Sequence, residues 1–329
     1  MSTNRKEVIL SGMRPSGRLH LGNYVGALQN WVKLQEEYRC YFFIADWHAL
    51  TTEYQDTDRL REYVREILLD WLSAGLDPRK AVIFRQSAVK EHAELYLLLA
   101  MITPIAWLER CPTFKEQLRQ LEGREINTYG FLGYPLLQAA DILAYRADAV
   151  PVGEDQLPHL ELTREVARRF NHIYGSIFPE PRPLLSQFTL LPGIDGRKMS
   201  KSYDNYISLG ASREEIQEKV RLMVTDPQRA RRRDPGRPEV CPVYKFHHVF
   251  NAPALEEIAA ECRRAGIGCV QCKEMLAKKL VEHLAPAYEK RMELERNPRL
   301  LEEILEDGNS RAREVARETL AAVRRAMKL

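Results

Sequence analysis

The amino-acid sequence predicts a doubly wound parallel α/β sheet followed by an all-helical C-terminal domain. Over the first half of the 329 residues, short apolar strands alternate with amphipathic helices, which is typical of a parallel sheet with crossover helices. From Ser212 to the end, apolar residues recur at helical spacing and no segment has the pattern of a strand. Two domains are therefore expected, with the segment 192–210 as the joint between them.

The first unit of the sheet is predicted over residues 8–38. An apolar strand from Val8 is followed by a turn with Gly12, Pro15 and Gly17, and then by apolar residues at helical spacing. A strand, a glycine turn and a helix form the first unit of many nucleotide-binding sheets, because the helix N-terminus offers unpaired N–H groups to a phosphate. The same pattern also fits a plain strand–turn–helix with a histidine on the surface.

The remaining elements follow from the same periodicities. Further strands are predicted over 40–52, 81–87 and 149–156, the first of them ending in Asp46 and His48. Helices are predicted over 58–74, 92–102, 113–121, 134–144, 158–170, 213–224, 254–264, 274–296 and 311–327. Pro135 is expected at the start of its helix, whereas Pro286 is expected to kink or break the helix that contains it.

The composition argues against several classes of protein. With 45% hydrophobic and 29% charged residues, it is that of an ordinary globular protein, and the net charge of +3 creates no global field that attracts polyanions. There is no long apolar run and no signal peptide, so we expect a cytoplasmic protein that does not cross a membrane. The six cysteines of such a chain are not expected to form disulfides.

A second motif lies in the joint, where Lys198 and Lys201 are three residues apart and follow two glycines. Flexible ammonium groups on such a loop can follow the negative charge that grows on a leaving pyrophosphate. His20 and Asn23 share one face of the first helical turn and would reach the crevice at the end of the first strand. Either motif alone can arise by chance, so the inference depends on their occurring together.

These two stretches carry a resemblance to a known family. His20-Leu-Gly-Asn23 resembles the first signature of the class I aminoacyl-tRNA synthetases, whose last residue is usually His, and Lys198-Met-Ser-Lys-Ser202 matches the second without change. The resemblance covers essentially the whole chain. It implies a Rossmann-type catalytic domain over 1–195, a mobile loop over 196–210 and a helical tRNA anticodon-binding domain over 211–329.

Three further stretches and one single residue bear on which amino acid is the substrate. Tyr134-Pro-Leu-Leu-Gln-Ala-Ala-Asp141 is similar to the tyrosyl and the tryptophanyl enzymes alike, since both place an Asp at its end. Val152-Gly-Glu-Asp-Gln156 and Ile44-Ala-Asp-Trp-His-Ala-Leu-Thr51 resemble the tryptophanyl enzymes. Leu10 stands where tyrosyl enzymes have a Tyr for the substrate hydroxyl, and an apolar residue there suits an indole. The resemblance therefore implies tryptophan.

Site residues are carried over from the family position by position. Those implied to bind tryptophan are Leu10, Gly12, His48, Tyr134, Gln138, Asp141 and Gln156. Those implied to bind ATP are Arg14, Pro15, Ser16, Gly22, Asn23, Lys115, Gly153, Glu154, Asp155, Lys198, Met199, Ser200, Lys201 and Ser202. Those implied in catalysis are His20, Asn23, Lys198, Ser200 and Lys201.

Some of these residues have a plainer alternative. His48 also suits a satisfied histidine at a strand end, and Lys115 also suits a lysine on a polar helix. Gln138 replaces a Met of many tryptophanyl enzymes, and Arg14 replaces a Gln, which allows a direct charge on a phosphate or carboxylate. The resemblance implies that Asp141 accepts the indole N–H, and the alternative, a carboxylate on the helix surface, is disfavoured because its neighbours in the sequence are apolar.

The resemblance implies a two-step reaction with ATP, L-tryptophan and its tRNA as substrates. The tryptophan carboxylate attacks the α-phosphorus of ATP, and the adenylate then passes its acyl group to the 3′-terminal ribose of the tRNA. Mg²⁺ is expected on the phosphates rather than in a protein cage, and a homodimer is implied. The basic run 229–233 is either a tRNA contact or a solvated face. A nucleotidylyltransferase and a tRNA-binding paralogue without catalysis remain as alternatives.

Four cysteines lie close together in the helical half, namely Cys241, Cys262, Cys269 and Cys272. Four thiolates can bind zinc or an iron–sulfur cluster, and unrelated thiols are the alternative. Zinc sites usually contain two close pairs, whereas only the last pair is close here. The spacing resembles that of a subset of bacterial tryptophanyl enzymes with a [4Fe–4S] cluster beside the anticodon-binding region. We therefore expect [4Fe–4S], with Zn²⁺ as the alternative metal.

Overall fold

The computed structural model of the protein describes residues 5–111, 126–185 and 190–329. Within them, five parallel strands form one sheet in the order β3-β2-β1-β4-β5. The strands are β1 (Val8–Met13), β2 (Arg39–Ile44), β3 (Ala81–Arg85), β4 (Ala149–Val152) and β5 (Arg182–Leu185). No strand occurs from residue 212 onward, so the predicted fold class is confirmed.

Helices cover the sheet and form the whole C-terminal half. In the described part of the chain they are α1 (Leu21–Asn23), α2 (Gln29–Glu37), α3 (Asp46–Glu53), α4 (Leu60–Ser73), α5 (Glu91–Ala100), α6 (Ile105–Glu109), α7 (Tyr129–Ala144), α8 (Leu157–Tyr174), α9 (Arg213–Leu222), α10 (Pro242–Phe250), α11 (Leu255–Arg263), α12 (Cys269–Glu295) and α13 (Pro298–Met327). A π-helical turn, Tyr24–Leu28, joins α1 to α2. Single 3₁₀ turns are Gln86–Ala88, Glu154–Gln156, Lys201–Tyr203, Pro238–Val240 and Ala252–Ala254.

The order of the strands places a crevice between β1 and β4. The chain runs from β1 through β2 to β3 at one edge, and then returns to β4 on the other side of β1. The direction of winding therefore reverses between β1 and β4. In open α/β sheets, ligands bind at such a reversal, outside the carboxyl ends of the strands.

The strand predicted over 40–52 was too long. The strand β2 ends at Ile44, and the helix α3 begins at Asp46, so His48 lies in a first helical turn rather than at a strand end. The side-chain oxygen of Gln86, which follows β3, accepts the N–H groups of Trp47 and His48 at 3.1 and 3.3 Å. Because this cap comes from another part of the chain, local sequence does not indicate where the helix begins.

Both prolines singled out in the sequence lie inside helices. The hydroxyl of Thr128 caps α7 by accepting the N–H of Phe131, so the helix begins before Pro135. The helix α12 is continuous through Pro286, and the predicted break is wrong. Buried residues on both sides of this proline, including Leu284 and Leu294, hold the two halves of α12 against their neighbours.

Three further elements were not predicted, the edge strand β5, the short helix α6 and the helix α10. β5 has only four residues and is partly exposed, which leaves it without an apolar pattern. α10 begins with a proline at its first position, where the missing N–H costs nothing. The helix predicted over 113–121 lies outside the described residues.

The last helix, α13, packs against the sheet edge at β3 rather than only against other helices. A Cβ atom at Gly308 would lie 1.8 Å from the backbone oxygen of Ile83, so only glycine allows this approach. The side chain of Asn309 accepts the N–H of Arg85 at 2.9 Å. The C-terminal helix thereby covers the edge strand and completes the core on that face of the sheet.

None of the helices in the described ranges is both long enough and apolar enough to cross a bilayer.

Candidate active site

A cavity of about 320 Å³ opens at the carboxyl ends of β1 and β4, at the reversal of the sheet. It is lined by all seven residues predicted to bind tryptophan, namely Leu10, Gly12, His48, Tyr134, Gln138, Asp141 and Gln156. Leu10 and Phe43 supply apolar surface from the sheet. Tyr134, Gln138 and Asp141 lie along one face of α7, because their spacing follows the helical repeat. The structure therefore places these predicted residues in one cavity.

Asp141 is fully buried on the wall of this cavity. Its Oδ1 atom accepts hydrogen bonds from His92 Nδ1 at 2.6 Å and Gln86 Nε2 at 2.9 Å. Its Oδ2 atom is 2.8 Å from His48 Nε2 and also 2.9 Å from Gln86 Nε2. Burial alone raises the pKa of Asp141, but the hydrogen bonds from the two histidines outweigh it and hold the pKa below its usual value. Asp141 is therefore ionised.

Gln86 and His92 were not predicted as site residues. His92 Nε2 lies 2.7 Å from the hydroxyl of Tyr145. Because the carboxylate of Asp141 can only accept hydrogen bonds, Nδ1 of His92 carries the hydrogen that points to it. Burial raises the pKa of Tyr145 well above its usual value, so the phenol that faces Nε2 keeps its proton. The chain of Tyr145, His92 and Asp141 fixes the tautomer of the histidine and the orientation of the carboxylate.

A second polar group lines the opposite wall. His159 Nε2 is 3.0 Å from the hydroxyl of Tyr134, and His159 Nδ1 is 2.9 Å from Gln156 Oε1. Burial, aided by the nearby His48, lowers the pKa of His159 to about 4, so the ring is neutral. It donates from Nδ1 and accepts at Nε2, which orients both partners. His159 is a third residue that the sequence did not reveal.

Gly12 leaves room in the same cavity. A Cβ atom at this position would lie 2.5 Å from the ring of Phe43, so any side chain would displace a ring of the cavity wall. Arg14 and Gly153 also line the cavity, with the Arg14 side chain reaching the hydroxyl of Thr52 at 3.4 Å. Pro15 is buried in the turn that follows.

The two signature motifs meet at a second cavity of about 700 Å³. Its lining includes Ser16, His20, Asn23, Lys198, Met199, Ser200, Lys201 and Ser202. The backbone N–H of Leu21 donates to Ile207 at 2.9 Å, and that of Leu209 donates to Leu19 at 2.8 Å. These strand-like hydrogen bonds connect the segment after the lysine loop to the segment that carries His20. The structure therefore brings the two motifs to one cavity.

His20 and Asn23 cap the helix that they begin. His20 Nδ1 accepts the N–H of Asn23, and Asn23 Oδ1 accepts the N–H of His20, both at 3.2 Å. Burial, aided by the charge of Lys201, lowers the pKa of His20 to about 4, so the imidazole is neutral. Because Nδ1 is an acceptor, the ring hydrogen is on Nε2 and is available to the cavity. Gly22, between them, donates its N–H to the sulfur of Met199 at 3.4 Å.

Lys201 reaches across from the loop to the glycine turn. Its Nζ atom donates to the backbone oxygens of Ser16 and Gly17 at 2.7 and 3.0 Å, and to the Ser16 hydroxyl at 3.1 Å. Burial lowers the pKa of Lys201 to about 8, while the carboxylates of Asp70 and Glu53 oppose the shift. The lysine is therefore mostly charged at neutral pH and lies where phosphates are expected.

Asn205 holds the loop and was not predicted. It is buried, and its Oδ1 accepts the N–H of Ser200 at 2.8 Å. Its Nδ2 donates to Asp195 Oδ1 at 2.8 Å and to the backbone oxygen of Lys198 at 3.0 Å. One amide therefore ties Lys198 and Ser200 of the lysine motif to Asp195, which precedes it.

Of the remaining residues predicted to bind ATP, Glu154 and Asp155 line neither of the two cavities. They lie in an exposed 3₁₀ turn directly after Gly153, which lines the first cavity. Lys115 lies outside the described residues.

The four clustered cysteines converge in the helical half. Cys262 and Cys269 place their sulfurs 3.7 and 3.8 Å from Nη1 of Arg229, the first residue of the basic run. Burial, with the neighbouring three thiols, raises the pKa of Cys272 to about 12. All are free thiols. No three His, Cys, Asp or Glu side chains in the described ranges are arranged as ligands of a metal ion.

The family of the chain follows from its similarity to known proteins. Residues 1–285 match the family model described as tRNA synthetases class I (W and Y). Two proteins named tryptophan–tRNA ligase, from Thermotoga maritima and Aquifex aeolicus, are 53% and 47% identical to it, and each alignment covers 98% of this chain and 99% of the relative.

A solved structure is similar over the same span. The crystal structure of tryptophanyl-tRNA synthetase from Campylobacter jejuni, complexed with ADP and tryptophan, is 35% identical with a TM-score of 0.88. It covers 98% of this chain and 100% of that chain. The chain therefore belongs to the tRNA synthetases of class I for tryptophan and tyrosine.

Proposed function

We propose that this chain is a tryptophan–tRNA ligase, which joins L-tryptophan to its tRNA with ATP and releases AMP and diphosphate. The full-length relatives named tryptophan–tRNA ligase support this assignment. The observation that carries it is the ionised, fully buried carboxylate of Asp141 in a cavity to which Leu10 and Phe43 contribute apolar surface. Such a carboxylate can only accept hydrogen bonds, which matches the N–H of an indole.

The first cavity is proposed to bind tryptophan. Leu10 and Phe43 would contact the indole ring, and Asp141 would accept its N–H, a charge-assisted hydrogen bond of about 1.5–3 kcal/mol. Tyr134, Gln138, Gln156 and His48 are proposed to complete the pocket and hold the α-amino group. Gln86 and His92 act through Asp141, because they orient its carboxylate and keep it charged.

The second cavity and the turn after β1 are proposed to bind ATP. Arg14, Pro15, Ser16, Gly22 and Asn23 would surround the phosphates, and Gly153, Glu154 and Asp155 the ribose and adenine. Lys115 is carried as a further candidate for a phosphate contact. Mg²⁺ is expected to bind to the phosphates themselves.

Positioning and charge carry the proposed reaction, because no side-chain nucleophile is needed. The tryptophan carboxylate attacks the α-phosphorus, and pyrophosphate leaves. Neutral His20 would donate from Nε2 to a phosphate oxygen, while Lys198 and Lys201 would meet the charge that grows on the pyrophosphate. The three oxygens that Lys201 now contacts would be exchanged for phosphate oxygens. Ser200 and Met199 hold the loop through Asn205 and Gly22.

Several finer assignments belong to the same proposal. Residues 1–195 form the catalytic domain, 196–210 the signature loop and 211–329 the part that binds the tRNA anticodon region, with α13 also supporting the sheet. The active form is a homodimer in the cytoplasm.

We also propose that Cys241, Cys262, Cys269 and Cys272 hold a [4Fe–4S] cluster, with Zn²⁺ as the alternative. The thiols of Cys241, Cys262 and Cys269 contribute to the raised pKa of Cys272, and Arg229 faces two of the four sulfurs. Zinc sites usually contain two close cysteine pairs, whereas only Cys269 and Cys272 form a close pair in this sequence, so the spacing favours a cluster. The cluster would hold the helices of the tRNA-binding part together and take no part in the reaction.

The function is tested by exchange of labelled pyrophosphate into ATP. A tryptophan–tRNA ligase catalyses this exchange with tryptophan and much less with tyrosine at equal concentration. Exchange that proceeds without any amino acid would favour a nucleotidylyltransferase. Exchange that prefers tyrosine, or no exchange with either amino acid, would reject the proposal.

A further inference from the structure

A buried ion pair joins the two halves of the protein outside both cavities. Arg291, on α12, and Asp70, on α4, are both fully buried, and Nη1 of the arginine lies 2.5 Å from Oδ1 of the aspartate. The guanidinium also donates to Glu66 at 2.5 Å and to Glu295 at 2.8 Å. The mechanism proposed above uses none of these groups.

The other oxygen of Asp70 reaches the first signature motif. Asp70 Oδ2 accepts the backbone N–H of Leu19 at 2.6 Å, and Leu19 directly precedes His20. In addition, Arg18 donates to the same Glu66 oxygen that Arg291 contacts, at 3.0 Å. The ion pair therefore holds the segment from which the His20 turn begins.

The segment after the second signature motif rests on the same arginine. A Cβ atom at Gly210 would lie 2.7 Å from Cδ of Arg291, so the backbone there lies directly on this side chain. One residue earlier, Leu209 donates its N–H to the oxygen of Leu19. Asp70 and Arg291, which contact each other, thus contact both the segment before His20 and the segment that follows the lysine loop.

Stability alone gives a weak reason for such a pair. Burying two charges costs several kcal/mol per ion, and replacing a buried pair with apolar residues of similar size is often neutral or stabilising. A hydrogen bond to a backbone N–H, in contrast, fixes a segment in a way that an apolar side chain cannot. A displacement of about 1 Å at a reacting group can cost about 10²-fold in rate.

We infer that Asp70 and Arg291 are positioning residues, which set the His20 turn against the Lys198–Ser202 loop for adenylate formation. Neither touches the substrates, and both act through Leu19 and the Gly210 segment. The inference rests on the proposed function, because its rate measurement is tryptophan-dependent exchange. A second measurement, amide hydrogen exchange over residues 17–21, does not depend on activity.

The experiment compares two neutral double variants with the parent. Asp70→Leu with Arg291→Met removes both charges and also the acceptor of the Leu19 N–H. Asp70→Asn with Arg291→Met removes both charges, but the side-chain oxygen of Asn can still accept that N–H. Removing only one charge would leave the other buried and unpaired, so single variants are avoided. Glu295→Gln is the matched control, because it also removes a carboxylate partner of Arg291 but does not contact the turn.

The Leu/Met variant is expected to unfold at about the parental denaturant concentration and to bind tryptophan within about threefold of the parent. Its kcat for exchange should fall about 10²-fold, and residues 17–21 should exchange amide hydrogens faster. The Asn/Met variant should recover at least about tenfold of the lost kcat and the slower amide exchange. Glu295→Gln should match the parent.

Four results would overturn the inference. One is a folded Leu/Met variant that retains kcat within about threefold of the parent. Another is equal loss of kcat and tryptophan affinity together with lost stability, which indicates a structural role only. A third is an Asn/Met variant no better than Leu/Met. Failure of the parent itself to exchange pyrophosphate would reject the proposed function, whereas unchanged amide exchange at 17–21 would reject the positioning role independently.

Discussion

The pH dependence of adenylate formation is expected to follow the charge of Lys201. Burial lowers the pKa of this lysine to about 8, despite the nearby carboxylates of Asp70 and Glu53. As the pH rises through that value, the ammonium loses its proton, and the enzyme loses a charge proposed to meet the phosphates. Between about pH 7 and about pH 9, the charged fraction falls from about nine-tenths to about one-tenth, so kcat/KM for ATP should fall about tenfold.

The assay is pyrophosphate exchange at saturating tryptophan, with ATP varied at each pH. The pH profile of kcat/KM for ATP reports the pKa of Lys201 in the enzyme without bound ATP, whereas the profile of kcat reports its pKa in the ATP complex. Bound phosphates raise the pKa of the ammonium, so the fall in kcat should lie at higher pH. Lys201→Arg keeps its charge throughout this range and should lose the alkaline fall even if its rate is lower. Lys80→Arg, at an exposed lysine paired with Glu36, should keep the parental profile.

Two results would refute this reasoning. The first is a kcat/KM for ATP that stays constant within about twofold from about pH 7 to about pH 9 in the parent, against the tenfold expected from the charge of Lys201. The second is an alkaline fall that persists unchanged in Lys201→Arg, since it would then arise from another group.

Three further predictions concern the pocket, the sheet edge and the cysteines. Asp141→Ala should leave the indole N–H unpaired and lower tryptophan activation by up to about 10⁴-fold while ATP binding survives; activation within about threefold of the parent would show that Asp141 has another role. Gly308→Ala should lower the free energy of unfolding in urea by about 1–3 kcal/mol, because its Cβ would meet the backbone of Ile83, whereas the exposed Ser310→Ala should change it little. Protein purified without oxygen should be brown and contain about four irons per chain, and the variant Cys262→Ser with Cys269→Ser should lose them. A metal content of one zinc per chain and no iron would indicate a zinc site instead of the cluster. The absence of both metals from such protein would reject both kinds of site.

Features set by local sequence could be predicted from it. Short continuous apolar runs indicated buried strands, and apolar residues three and four positions apart indicated helices, so the α/β class could be predicted. Spacing along one helix is enough to put Tyr134, Gln138 and Asp141 on the same face, because residues three and four apart are neighbours on a helix surface. The two signature motifs were visible because each is continuous in the chain, whereas their meeting at one cavity is a feature of the structure.

Groups that act from another element could not be predicted in this way. Gln86 follows β3 and His92 lies on α5, yet both hydrogen bond to Asp141 on α7. Gln86 also caps α3, which is why the predicted strand ran too far. Nothing in the sequence next to Gln86 indicates either partner, because convergence depends on the winding of the sheet.

The position of the C-terminal helix was decided only by the tertiary structure. The periodicity of α13 predicts an amphipathic helix but not the surface that it covers, and the close approach of Gly308 to β3 supplies that surface. In the same way, Arg291 is an ordinary helical arginine in the sequence until Asp70, 221 residues away, is placed beside it. The sequence by itself determined the class of fold, the two signatures and seven of the residues that line the pocket. Folding decided which buried charges and amides support them, because a buried polar group must find its partner wherever the chain brings one.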